Sequence, residues 1–154
     1  MVEKIKVGLP LDDSGFLRRE CPYCKREFKI EIVENEENAT EDSSSSELYC
    51  CYCGQSAPCD EYFTPAQCEY LKNILAKEVM EPALKDFQQG LTRLNRPGGF
   101  TRFKASPINI PEPYIAPDDD DMHILSFPCC NIRLKLDSAH GTFYCAECGG
   151  THVF

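Results

Sequence analysis

The chain has 154 residues, 42% of them hydrophobic and 27% charged, a balance within the globular range that accommodates one medium domain or two small ones. Its 11 cysteines are odd in number, so they cannot all pair in intrachain disulfides, and a formal net charge of -9 opposes binding of a polyanion over most of the surface. No apolar run reaches the roughly 18 residues of a membrane span, and the opening MVEKIKVGLP, charged at Glu3, Lys4 and Lys6, has no apolar stretch of signal-peptide length. These features point to a soluble protein of a reducing cytoplasm with no membrane partner, where clustered cysteines act as metal ligands rather than disulfides.

Charge is unevenly spread. Residues 31–70 have ten acidic and no basic side chains, whereas residues 71–104 have seven basic against three acidic, so an anionic partner would have to meet the second stretch. In chain order, Asp12, Asp13, Ser14 and Gly15 supply turn chemistry ahead of a lead-in strand that runs into CPYC. FKIEIV, Phe28 to Val33, alternates apolar Phe28, Ile30 and Ile32 with Lys29 and Glu31, the period-two pattern of a half-buried strand. ENEENATEDSSSSE has almost nothing to bury and reads as a mobile loop with a dispensable tip.

A long helical signal follows. Thr64 suits the N-cap, Pro65 the first helical position, and Gln67 completes a capping-box pattern. Leu71, Ile74, Leu75, Val79, Met80, Leu84, Phe87, Leu91 and Leu94 recur at the three-and-four spacing of one face. Pro82 predicts a kink or break near Glu81, and Pro97, Gly98 and Gly99 predict the end. The stripe is expected to pack on its own domain. Met80, Leu84, Phe87, Leu91 and Leu94 also follow heptad spacing, which makes a homodimer through the helix the alternative.

SPINIPEPYIAPDDDDM reads as a stiff, extended linker ending in a solvated run of four aspartates, since its spacing lacks the alternation and glycine of a calcium loop. The resulting division is 1–63, an N-terminal cysteine-rich part; 64–97, the helical segment; 98–121, the linker; and 122–154, a C-terminal cysteine-rich part.

Cys21 and Cys24 in CPYC share a two-residue spacing with Cys50 and Cys53 in CCYC. Two such ligands lie on one tight turn, and two turns complete the tetrahedron that zinc accepts. Cys51 fits less well, and Gly54 helps the chain turn. The C-terminal set is less regular. Cys145 and Cys148 in CAEC, followed by Gly149 and Gly150, form a second good turn, and their partner is FPCCN. With Pro128 in register, Cys130 is the second ligand and Phe127 stands where the first cysteine should be. The fourth ligand is then Cys129, His123 or none, with His140 and His152 more distant choices, and a metal-free hairpin is the alternative to a second site. IRLKL alternates Ile132, Leu134 and Leu136 with Arg133 and Lys135, and DSAHG turns into TFYC, giving a hairpin with a cysteine turn on each arm. Cys59 and Cys68 have no two-residue-spaced partner and read as small buried thiols.

CPYC to CCYC and PCC to CAEC resemble zinc ribbons of the kind found in the transcription factor TFIIB and in uncharacterised bacterial double zinc-ribbon proteins. The likeness covers under half the chain and departs from the pattern at Phe127. It implies a zinc-clamped β-hairpin within a three-stranded sheet in each half; with the long, kinked amphipathic helix read from the periodicity and Pro82 as the connection, the expected class is α+β. It also implies one or two Zn2+ ions, and a family that includes nucleic-acid binders, polymerase subunits and protein adaptors.

Catalytic signatures are absent. Fully thiolate-ligated zinc is closed and structural, and the sequence shows no zinc-protease helix motif, phosphate loop or nucleophile elbow. The expectation is a non-enzymatic adaptor or accessory subunit with a protein partner. The alternative is nucleic-acid binding through LTRLNRPGGFTRFK, where Arg93, Arg96, Arg102 and Lys104 interleave with Phe100 and Phe103. A simpler reading of that segment is a helix C-terminus followed by a strand that buries its aromatics.

Overall fold

A computed structural model describes residues 7–33, 46–107 and 109–154. The acidic, serine-rich stretch falls largely at 34–45, outside the described residues. In chain order the elements are β1 (Phe16–Glu20), β2 (Glu27–Glu31), β3 (Glu47–Tyr49), β4 (Ser56–Pro58), α1 (Pro65–Leu75), α2 (Glu81–Leu94), β5 (His123–Phe127), β6 (Ile132–Leu136), β7 (Thr142–Tyr144) and β8 (Thr151–Val153). The class is α+β, with a cysteine-rich β region before and after the helix.

The strands group differently from two separate three-stranded sheets. The hairpins β1–β2 and β5–β6 join through β2 and β6 into one antiparallel sheet of order β1-β2-β6-β5, while β3–β4 and β7–β8 form two-stranded ribbons. Left alone, β2 and β6 would each present an open backbone edge; pairing closes both, with Lys29 opposite Lys135 and Ile30 opposite Leu134. The sheet therefore draws on both the 1–63 and the 122–154 segments. Of the described residues, 7–33, 46–65 and 116–154 form one compact unit and 66–107 and 109–115 a second.

Within the first unit the two ribbons meet reciprocally. The Tyr49 N–H donates to the Ala146 carbonyl and the Tyr144 N–H to the Cys51 carbonyl, both at 2.9 Å, which sets Cys50 beside Cys145. The Tyr144 ring covers Gly54 and the Tyr49 ring covers Gly149, each glycine leaving room where a Cβ would meet the ring at 3.1 and 2.8 Å respectively. The same pair of contacts made twice is the arrangement of an isologous interface, here inside one chain. Tyr52 adds a direct link, donating from its hydroxyl to the Glu27 carbonyl at 2.9 Å and accepting the Asp137 N–H at 3.1 Å. Phe28, Tyr62, Phe127, Leu134, Leu136 and Phe143 fill the interior, with Phe28 meeting Tyr52 and Tyr62 edge to face.

The run of four aspartates is partnered rather than free, with Asp118 half-buried and Asp119, Asp120 and Asp121 exposed. Arg18 donates from Nε to Asp118 Oδ1 at 2.8 Å and from its terminal nitrogens to Asp121 Oδ1 and Glu27 Oε2, both at 2.7 Å. Lys135 Nζ donates to Asp120 Oδ1 at 2.6 Å and to Asp12 Oδ2 at 2.7 Å. Lys29 Nζ donates to Asp12 Oδ2 at 3.2 Å and to the Asp119 carbonyl. Lys29 and Lys135 have fully buried side chains, and buried charges persist only when paired. The end of the linker is thereby fastened to one face of the sheet.

The helix α1 starts at Pro65, directly after Thr64, as the capping pattern predicts. Pro82 does not break the helix. Residues Ala76–Met80 form a π turn, in which the Glu81 N–H reaches back to the Ala76 carbonyl, and α2 then carries Pro82 in its first turn. Widening the turn one residue ahead of the proline relieves the ring clash and absorbs the missing donor. The chain then returns along α2 in extended form, with Gln88 Nε2 on the Ser106 carbonyl at 2.8 Å and Lys77 paired with Glu112. Leu84 and Leu91 are half-buried while Met80, Phe87 and Leu94 are exposed, so the apolar stripe is only partly covered. Among the described residues no helix is long and apolar enough to cross a membrane.

Candidate metal centres

Three of the four cysteine turns are closed by a backbone hydrogen bond and a residue of positive φ, and the Cys129–Cys130 turn is followed by Asn131 at φ 52°. Cys21 directly follows β1; the Lys25 N–H bonds the Cys21 carbonyl at 3.1 Å, with Lys25 at φ 62°. After β3, the Gly54 N–H bonds the Cys50 carbonyl at 2.9 Å with Gly54 at φ 74°, and after β7 the Gly149 N–H bonds the Cys145 carbonyl at 2.9 Å with Gly149 at φ 73°. Backbone N–H groups aim at sulfur as well: Tyr23 at Cys21, Tyr52 at Cys50 and Gly150 at Cys148, each at 3.4 Å. Such turns present two sulfurs on the same side and supply donors that stabilise thiolate charge.

Two groups of four sulfurs result. Cys21, Cys24, Cys50 and Cys53 form one, and Cys129, Cys130, Cys145 and Cys148 the other, with all sulfurs of a group within 4.8 Å of one another. Cys21–Cys53 and Cys24–Cys50 are 3.7 Å apart and Cys129–Cys148 3.6 Å. A disulfide would need about 2.05 Å, whereas sulfurs placed tetrahedrally about 2.3 Å from a central ion lie about 3.8 Å apart. Each group can hold a metal ion.

The groups differ in exposure. Cys21 and Cys50 are buried and Cys24 and Cys53 half-buried; Cys129 and Cys148 are exposed. The Cys51 thiol donates to Cys50, whose backbone donors at Cys53 and Tyr52 outweigh burial and bring its pKa down to about 4. The Gly150 N–H, helped by the Cys129 and Cys130 thiols, lowers Cys148 to about 7. Burial pushes Cys24 up to about 12 and Cys129 up to about 11, and raises Cys53. Binding of a divalent cation would expel such thiol protons.

The position left open by Phe127 is filled by Cys129, whose sulfur joins Cys130 although the two are adjacent in sequence. Phe127 itself is fully buried in the core. His123 opens β5 opposite Leu136 and His140 is bound at its backbone by the Ser138 hydroxyl; neither belongs to the group. His152 does approach it, with Nε2 3.1 Å from Cys129 Sγ. The sequence offered it only as a more distant choice, and β8 delivers it from beyond the last cysteine turn. Cys51 is a fully buried thiol beside Cys50. Cys59 and Cys68 are half-buried rather than buried, and Cys59 Sγ lies 3.3 Å from Ser46 Oγ.

Arg93, Arg96, Arg102 and Lys104 lie in the second compact unit; Arg93, Arg102 and Lys104 are exposed and Arg96 is among the exposed residues that follow Asn95. The strand expected to bury the aromatics does not form there. The Asn95 side chain instead takes both backbone groups of Phe103, at 2.9 and 2.8 Å, closing a loop that leaves Phe100 fully exposed and Phe103 44% exposed. No protein-family model, curated protein or solved structure matches the chain.

Proposed function

We propose that the chain is a zinc-binding double ribbon that acts without catalysis, as an interaction adaptor or accessory subunit. The observation that supports it is the pair of sulfur tetrads at tetrahedral spacing. Soft thiolates favour zinc over hard cations, and four-thiolate zinc is coordinatively closed, so the ions would fasten the sheets and leave no open position for substrate. Unpaired thiols at this density fit a reducing, cytoplasmic compartment. Metal analysis of the purified chain tests the zinc reading, with close to two zinc ions per chain expected and none sinking it.

A groove of about 360 Å³ in the first unit supports the adaptor reading; Ile30, Leu48, Ile132 and Leu134 line it, together with Glu47 and Glu147. An extended apolar segment carrying Lys or Arg matches that lining. Titrating such peptides should shift the NMR signals of Ile30, Leu48 and Ile132 in a salt-sensitive way. Unmoved signals would sink the adaptor site.

Nucleic-acid binding is the second reading. It rests on Phe100, open for stacking, flanked by exposed Arg96, Arg102 and Lys104. Retention on single-stranded DNA or RNA that falls steeply with salt, and is lost in R96E/R102E, would favour it over the adaptor.

A further inference from the structure

Resting on the reading that Cys129, Cys130, Cys145 and Cys148 hold a metal ion, we propose that His152 is a second claimant for the ligand position of Cys129. The exposed centre then alternates between a four-sulfur set and a set of three sulfurs and one nitrogen, whereas the buried centre keeps four sulfurs.

The geometry brings a fifth donor to the edge of the four-sulfur group, beside Cys129. His152 Nε2 is 3.1 Å from Cys129 Sγ, closer than the 3.6 Å between Cys129 and Cys148. β8 sets His152 opposite Phe143, and the imidazole stands edge-on to the buried Phe127 ring at 5.3 Å, which fixes its orientation. Gly150 keeps the approach open: a Cβ there would lie 3.3 Å from Cys148 Sγ and 3.9 Å from His152 Nε2. Neutral imidazole nitrogen and thiolate are both ordinary ligands of a tetrahedral zinc site.

Cys129 is the ligand suited to leave. Its counterpart Cys21 is fully buried, and its sulfur accepts the Tyr23 and Cys24 N–H groups at 3.4 and 3.5 Å. Cys129 is exposed, enters from two residues beyond the place that Phe127 took, and has Cys148 Sγ and His152 Nε2 against its sulfur. When Nε2 takes the position, Cys129 departs as a thiolate, free at the surface, and the ion stays.

Cobalt(II) substitution of the full chain reads this out, because replacing sulfur by nitrogen moves the visible ligand-field bands to shorter wavelength. Wild type that fails to bind two cobalt ions refutes the metal reading itself. Given two in wild type, C129A should keep both, with one centre shifted to the three-sulfur, one-nitrogen signature, and C129A/H152A should lose that signature. Loss of the second cobalt in C129A, or a C129A spectrum indifferent to His152, would overturn the proposal. Should C129A fail to fold, the rate of cobalt transfer from H152A to a chelator decides. Without the alternate ligand, release slows. An outer-sphere partner would instead be worth roughly 10–100-fold in metal affinity, so unchanged or faster release in H152A would overturn it.

Discussion

Lys29 and Lys135 face each other across the β2–β6 seam, and both ammonium groups bind the same carboxylate oxygen, Asp12 Oδ2, at 3.2 and 2.7 Å. Like charges directly opposite in a sheet repel. Asp12 is therefore what lets the β1–β2 and β5–β6 hairpins share a sheet at this register. Its other oxygen takes the Ser14 and Phe16 N–H groups at 3.0 Å, fixing the turn that aims it. Asp12→Asn removes the charge and leaves two buried ammonium groups undercompensated, which should cost about 3–5 kcal/mol by chemical denaturation.

The same residue sets an acid dependence. Burial alone would raise the Asp12 pKa, but the Lys135 ammonium, the Phe16 N–H, Lys29 and the Ser14 N–H together hold it at about 2, below its ordinary 3.8. A carboxylate depressed by folding stabilises above its unfolded pKa and loses that contribution as pH falls through the folded one. The difference in denaturation midpoint between wild type and D12N should stay constant down to about pH 4 and close toward pH 2. A constant gap across that window would contradict the ion cluster.

The acidic run should respond unevenly to neutralisation. Asp118 has a side chain only 9% exposed and binds Arg18, whereas Asp119 uses its backbone carbonyl. D118N should destabilise by about 1.5–3 kcal/mol, the worth of a hydrogen bond to a charged group, and D119N should be near neutral. Equal effects at both positions would restore the picture of a solvated charge run.

Three glycines of positive φ separate backbone strain from contact. At Gly15, φ 83°, an added Cβ would meet nothing within 4 Å, whereas at Gly149, φ 73°, it would come to 2.8 Å from the Tyr49 ring. G15A should cost roughly 1–2 kcal/mol, the ordinary penalty of a left-handed residue. G149A should cost clearly more by thermal denaturation, with G54A between them, because its Cβ would meet Tyr144 at 3.1 Å.

Chelation should act in order. Cys129 and Cys148 are exposed while Cys21 and Cys50 are fully buried, so the C-terminal centre should release its ion first. Folding of small metal-stapled sheets draws on metal binding, so β structure should melt while the circular dichroism of residues 65–94 persists. Simultaneous loss of both ions would show that the two centres fail as one.

The cysteine turns were legible because two-residue spacing and the following glycine state a local geometry. Helix start and strand periodicity were legible for the same reason. What escaped depends on distant partners. Lys29 and Lys135 occupy the polar phase of their alternating patterns, yet the β2–β6 pairing and the aspartate clasp bury both. Asp118 to Asp121 read as solvated because their cations lie far away in sequence, at Arg18 and Lys29, and nearer at Lys135. Pro82 signalled a disturbance without specifying the π turn that resolves it. Cys129 was named among the choices for the fourth ligand and joins the group, whereas His152, named only as a more distant choice, comes beside Cys129 through the β7–β8 pairing.

Native mass spectrometry of the full chain, purified under reducing conditions, tests the metal reading most directly. The expected masses are those of a chain with two zinc ions, falling by one ion in C50S and by one in C145S. An ion-free wild-type mass, or a zinc count unmoved by either substitution, would contradict it.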